Sequence, residues 1–235
     1  MRLSITLIAI LLVVFCHAQQ PSLKTPVDMV DQVSNMENLI RALSFQTSME
    51  TKVENIEGSA YLNEQFENGD VLLSNGAKYT NIPLRYNVYN DQIEFRNHSG
   101  KVYNINNPES IRALSIGSSR FIYTECVRNK KKQNVFAEVI SEGKVSLLKH
   151  HRLKIQQAKP TQTHQESQAP RFVKIPSEFL IQKTDGTTQY VKNEKELLSL
   201  LADKRAEIGE LISRERLSVN DEKDLKRVVE FYNGN

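Results

Sequence analysis

The chain has 235 residues, 39% of them hydrophobic and 25% charged, enough apolar material for one substantial domain and too much for wholesale disorder. Lys and Arg number 31 against 28 Asp and Glu, a net charge of +3. So even a balance gives no reason to expect nucleic acid or an anionic membrane surface as a partner.

Residues 1–18 read MRLSITLIAILLVVFCHA. Arg2 supplies the basic start, residues 7–15 an unbroken apolar run, and Cys16 and Ala18 the small residues before a cut. This is the pattern of a signal peptide cleaved near Ala18, and it predicts a secreted or periplasmic protein. A spanning helix needs about 20 apolar residues, so no transmembrane segment is expected after cleavage. The competing reading is lipid anchoring at Cys16, against which bulky Phe15 argues. Cleavage leaves Cys126 as the only cysteine, so no internal disulfide is expected. Its setting, FIYTECV, predicts a buried thiol on a strand.

Residues 19–57 read as a tether followed by an amphipathic helix. Met29, Val33, Met36, Ile40 and Leu43 recur at helical spacing, and Asp28 and Asp31 sit in the first turn, where the helix dipole favours them.

Residues 58–157 read as an antiparallel β domain. Asn75-Gly76, Asn90-Asp91, Ser99-Gly100 and Glu142-Gly143 punctuate short β-rich runs, and short links favour antiparallel neighbours. From Ile82 the residues alternate: Ile82, Leu84, Tyr86 and Val88 on one face, Arg85, Asn87 and Tyr89 on the other. Eight to nine strands are expected, in a curled sheet or partly open barrel.

Residues 158–170 (AKPTQTHQESQAP) carry two prolines and three glutamines, the composition of a linker and of a domain boundary. Residues 171–235 then read as a hairpin turned by Asp185-Gly186 and three short helices. Asn193 through Glu196 form a capping-box start, and Asp203 and Asn220 are the expected caps of the next two helices. Helices this short need something to pack against.

No phosphate loop, nucleophile elbow, zinc-binding helix motif or CxxC pair is present, so no catalytic residue, metal site or cofactor is assigned. Adjacent His150 and His151 point to opposite faces of a strand and cannot share an ion. Lys130, Lys131 and Lys132 have no interleaved aromatics and read as a solvated loop. The ligand-binding candidates are Arg85, Tyr86, Asn87 and Tyr89, which combine stacking surface with hydrogen-bond donors.

With G-S-x-Y-L-x-x-x-F at 58–66, P-L-R-Y-N-x-Y-N-D-x-x-E-F at 83–95, A-P-R-F-V at 169–173 and V-E-F-Y-N at 229–233, the chain resembles a group of secreted proteins of Bacteroidota-type bacteria. The resemblance implies export and brings no catalytic residue with it.

The expected architecture is α+β: a β-meander with an N-terminal helix and a C-terminal hairpin-plus-three-helix segment. The expected function is an envelope or secreted module that binds a protein partner without catalysis. A glycan or peptide binder using the Arg/Asn/Tyr face is the first alternative, and a hydrolase whose site assembles from strand ends is the second.

Overall fold

The β-rich rhythm of residues 58–157 becomes eight strands in a computed structural model, which describes residues 26–43, 45–47, 56–128, 131–158 and 169–234. The expected leader at 1–18 with Cys16 and His17, the tether from 19 to 25, Lys130, His164 and most of the 158–170 linker lie outside the described residues. The eight are β2 (Glu67–Leu73), β3 (Lys78–Asn87), β4 (Gln92–Arg96), β5 (Val102–Ile105), β6 (Ile111–Ile116), β7 (Ser119–Arg128), β8 (Lys131–Ser141) and β9 (Val145–Gln156). A short β1 (Phe45–Thr47) precedes them, and β10 (Arg171–Lys183) and β11 (Thr188–Val191) follow.

The eleven strands form one sheet, in the order β1-β5-β4-β3-β2-β6-β7-β11-β10-β9-β8, and β7 also pairs with β8. Gly76, Gly100 and Gly186 take the positive φ that their turns require. Every strand pairing is antiparallel except β11 with β7, a parallel contact through the single pair Gln189 and Val127. Strands β7 to β11 run up and down in succession, and their number is odd. The first and last therefore point the same way, so the ring can close only through a parallel pair. One residue pair makes that closure partial.

Two features depart from the sequence reading. The sheet is curled and partly closed, as expected, but its strand order is not that of a simple meander: β6 pairs with the far edge of β2 instead of with β5. On a flat sheet the 106–110 connection would have to span roughly 19 Å, four strand spacings, nearly fully extended. It folds instead into a 3-10 turn (Pro108–Ser110), so the sheet must curl to bring the end of β5 towards the start of β6. The second departure is the hairpin at 171–191. It is built into the ring, with β10 pairing along β9 from Arg171 opposite Gln156 to Lys183 opposite Val145. The 158–170 stretch thus joins two neighbouring strands.

Three apolar clusters result. Helix α1 (Pro26–Ala42) buries Met36, Leu39 and, just beyond its end, Leu43 against the curled β2–β6 sheet, together with Tyr86, Phe95, Phe121 and Phe136. The ring encloses Cys126, Val135, Ala137, Leu148, Leu180 and Tyr190. Leu147, Phe179, Ile181 and Val191 face the C-terminal helices.

Those helices are α2 (Glu194–Leu200), α3 (Arg205–Glu215) and α4 (Glu222–Asn233). Asn193 caps α2 as expected: its side chain accepts from the Glu196 amide at 2.9 Å while Glu196 accepts from the Lys192 amide at 3.0 Å. The other two caps differ. Asp203 accepts from the Tyr232 hydroxyl and caps nothing, and Asp221, not Asn220, takes the amides of Lys223 and Asp224 to start α4. At the far end of α4, Asn233 bonds both backbone groups of Val145 at 3.0 Å, tying the helix to the β8–β9 turn. Among the described residues no helix is long and apolar enough to cross a membrane.

Candidate functional site

The alternation through β3 is real, but the face carrying Arg85 and Asn87 is covered. Residues 56–66 cross it, bringing the Tyr61 ring to 3.6 Å and the Phe66 ring to 4.3 Å from the Arg85 guanidinium. Arg85 donates twice to Glu94 Oε2, through Nε at 3.1 Å and Nη2 at 2.5 Å, and once to the Glu64 carbonyl at 3.2 Å. The other oxygen of Glu94 takes the Tyr61 hydroxyl at 3.3 Å and the Asn87 amide at 3.5 Å. Arg85 keeps 12% of its side chain exposed and Glu94 only 2%, so this is an internal ion pair with its hydrogen bonds satisfied.

Tyr86 lies on the apolar face and is buried. Its hydroxyl donates to Asp91 at 2.6 Å, and burial together with that carboxylate pushes the phenol well above its ordinary range. Of the four candidates only Tyr89 is exposed, and it packs edge-on against Phe172 of β10 at 5.2 Å. The structure thus gathers Arg85 and Asn87 around Glu94, sends Tyr86 into the core, and leaves Tyr89 on the surface.

The covering segment creates a different cavity. Tyr61 and Leu62, with Val88 from the end of β3, face strands β9 and β10 across a cleft of about 300 Å³. Its far wall owes its shape to a bulge. Between Ile175 and Glu178 the β9–β10 register slips, leaving Pro176 and Ser177 opposite His151. A bulge suits a proline inside a strand, because it has no amide to donate. Leu153 and Ile175 give this wall an apolar floor, and Lys149, Arg152 and Lys174 give it cations, with the His151 imidazole among them. Phe172 lies two residues from Lys174 on the same face of β10, so the Tyr89–Phe172 pair continues the wall along the strand.

These four groups differ in their ties. Lys149 bonds Glu222 of α4 at 2.6 Å, His151 bonds Glu138 of β8 at 2.7 Å, and Arg152 gives one of its nitrogens to Glu178. Lys174 is exposed, and no ion pair involves it among the described residues. Glu138 also accepts from Ser119 at 2.6 Å. Burial pushes the Glu138 carboxyl up, but the bonds from His151 and Ser119 outweigh it and hold the group below the usual carboxylate range. The order Ser119–Glu138–His151 places the carboxylate in the middle. A nucleophilic triad needs the imidazole there.

Inside the ring the chemistry is inert. Arg128 and Arg152 both grip Glu178 at one end. Beneath them His150 Nδ1 meets the Tyr190 hydroxyl at 2.9 Å, and Gln133 donates to the same hydroxyl at 3.0 Å. Burial, then Arg152, Arg128 and His151, lowers His150 to about 4, so it is neutral and accepts from Tyr190. Burial raises both the Tyr190 phenol and the Cys126 thiol, which leaves Cys126 the unreactive buried residue its strand context predicted. His150 and His151 do point to opposite faces. Among the described residues no three His, Cys, Asp or Glu side chains are placed to hold a metal ion.

The chain matches no protein-family model, no curated protein and no solved structure.

Sequence reasoning missed the cleft because its residues come from four separate segments. One signal was available. Ile175-Pro176-Ser177 interrupts an otherwise β-rich run and marks a bulge, a feature concentrated near binding sites.

Proposed function

We propose that this protein is an exported, non-enzymatic binding module that captures an acidic segment of a protein partner in the cleft between Tyr61–Leu62 and the β9–β10 bulge. The leader pattern at 1–18 and the resemblance to secreted proteins support export. The observation that carries the reading is the cleft lining. Lys149, His151, Arg152 and Lys174 border an apolar strip of Leu62, Val88, Leu153 and Ile175. A peptide alternating acidic and apolar side chains presents the complementary pattern, acids toward the cations and apolar groups toward the strip. Lys174, with no acidic partner of its own among the described residues, is the natural first contact.

Fluorescence anisotropy with labelled short peptides alternating Asp and Leu, or Lys and Leu, tests this on the full chain. The acidic peptide is expected to bind and to weaken as salt rises. Lys174→Glu is expected to reduce its affinity about tenfold or more, because attraction becomes repulsion at the rim. That substitution touches an exposed side chain, so thermal stability should not change. Equal binding of both peptides, binding of neither, or indifference to Lys174→Glu refutes the reading.

A further inference from the structure

A second depression lies on another part of the molecule and shares no lining residue with the cleft. The β3–β4 turn, the β5–β6 connection and the outer faces of β7 and β8 enclose about 500 Å³, the size of a small-molecule site. Its polar lining includes the carboxamides of Gln92, Asn106 and Asn134, the carboxylates of Asp91 and Glu109, and the phenol of Tyr123. No Lys, Arg or His lines it among the described residues.

That inventory selects among ligands. Each carboxamide both donates and accepts, which matches hydroxyl groups that do the same. An anion would meet Asp91 and Glu109 with no cation to offset them. A cation would find less charge than the two carboxylates suggest. Asp91 already receives the Tyr86 hydroxyl at 2.6 Å and the Phe136 amide at 3.3 Å, and burial raises its pKa. An apolar ligand would leave the amides without partners. What remains is a neutral, polyhydroxylated molecule.

The walls are also held in place. Tyr123 packs against Phe136 with ring centroids 4.9 Å apart. Asp91 anchors the β3–β4 turn to β8 through the Phe136 amide. By contrast, the carboxamides of half-buried Gln92 and exposed Asn106 line the groove and bond no other side chain among the described residues. A preformed aromatic wall with adaptable amides is a low-cost way to hold a sugar ring.

We infer that this groove binds a neutral saccharide, with its hydroxyls bonded by Gln92, Asn106 and Asn134 and a sugar ring against Tyr123. The proposal stands apart from the peptide cleft and survives that cleft's failure. Saturation-transfer NMR on the full chain with cellobiose, maltose, lactose and chitobiose at millimolar concentration is the test, with glucuronic acid as the charged control. Transfer to the ring protons of at least one neutral disaccharide is expected, with little to glucuronic acid. The double variant Gln92→Ala/Asn106→Ala should weaken binding about tenfold, the effect of losing about two ordinary hydrogen bonds. Asn134→Ala provides a second, separate reduction, and Lys174→Glu should leave the sugar signal unchanged. No transfer from any disaccharide, equal transfer from glucuronic acid, or binding insensitive to both groove variants overturns the inference.

Discussion

Two β interiors lie side by side in this molecule and are filled differently. Under the curled β2–β6 sheet the fully buried side chains are large: Tyr86, Phe95, Phe121 and Phe136 among Leu and Ile. Inside the β7–β11 ring they are small or medium, Cys126, Val135, Ala137, Leu148 and Leu180, and the larger His150 and Tyr190 are hydrogen-bonded to each other. Strand number accounts for the difference. A closed ring of eight strands is just wide enough to be filled by side chains, and five strands leave less room. The open sheet has no such limit, because α1 and the outer wall of the ring can move to fit its aromatics. Polar groups follow the same logic. The ring holds its own behind the Arg128–Glu178–Arg152 cluster, whereas the sheet places the Arg85–Glu94 ion pair on the opposite face, under Tyr61 and Phe66.

Removing Glu94 is the most direct way to break this comparison. Glu94→Ala leaves the Arg85 guanidinium between two rings without its carboxylate, and the expected loss is about 4 kcal/mol in urea unfolding. A loss below about 1 kcal/mol would mean that Arg85 reaches water and that the pair behaves as a surface contact.

Acid tests the ring. His150 titrates at about 4 in the folded protein, below its unfolded value of about 6.5. The unfolded chain therefore takes up the proton first. Stability is full above about pH 6.5 and falls as pH drops toward 4, by on the order of 3 kcal/mol. Urea midpoints across that window should show a steep slope for the native chain and a flatter one for His150→Gln. Parallel slopes would place the imidazole in contact with solvent.

The smallest of these effects lies outside both interiors. Asp221→Ala removes the cap of α4 and should cost about 1 kcal/mol without changing the pH slope. A changed slope would show that the helical layer controls access of protons to the ring.

Much of the fold was legible in the sequence. The Asn75-Gly76, Ser99-Gly100 and Asp185-Gly186 turns, the number of strands between 58 and 157, and the Asn193 capping box all rest on interactions within a few residues. What escaped depends on distant partners. Alternation puts Arg85 and Asn87 on one face, but only the path of residues 56–66 decides whether that face meets water or Tyr61. The 171–191 segment read correctly as β structure, yet nothing local says that its outer strand will seek β7. The cleft was hidden for the same reason. Tyr61, Arg152 and Lys174 belong to no shared motif and meet only after the sheet has curled.

The seam between β11 and β7 also sets an order of events. Thr124 meets Thr188 across 64 residues, and Asn233 clasps Val145 across 88. Contacts this distant are entropically slow to form, so folding should be gradual compared with a helical protein of similar size. A nascent chain cannot shut the ring before β11 is synthesised, and until then the β7 edge stands open. That delay keeps the chain threadable, as the export proposed above requires. The same delay makes it dependent on whatever shields an unpaired strand in the meantime.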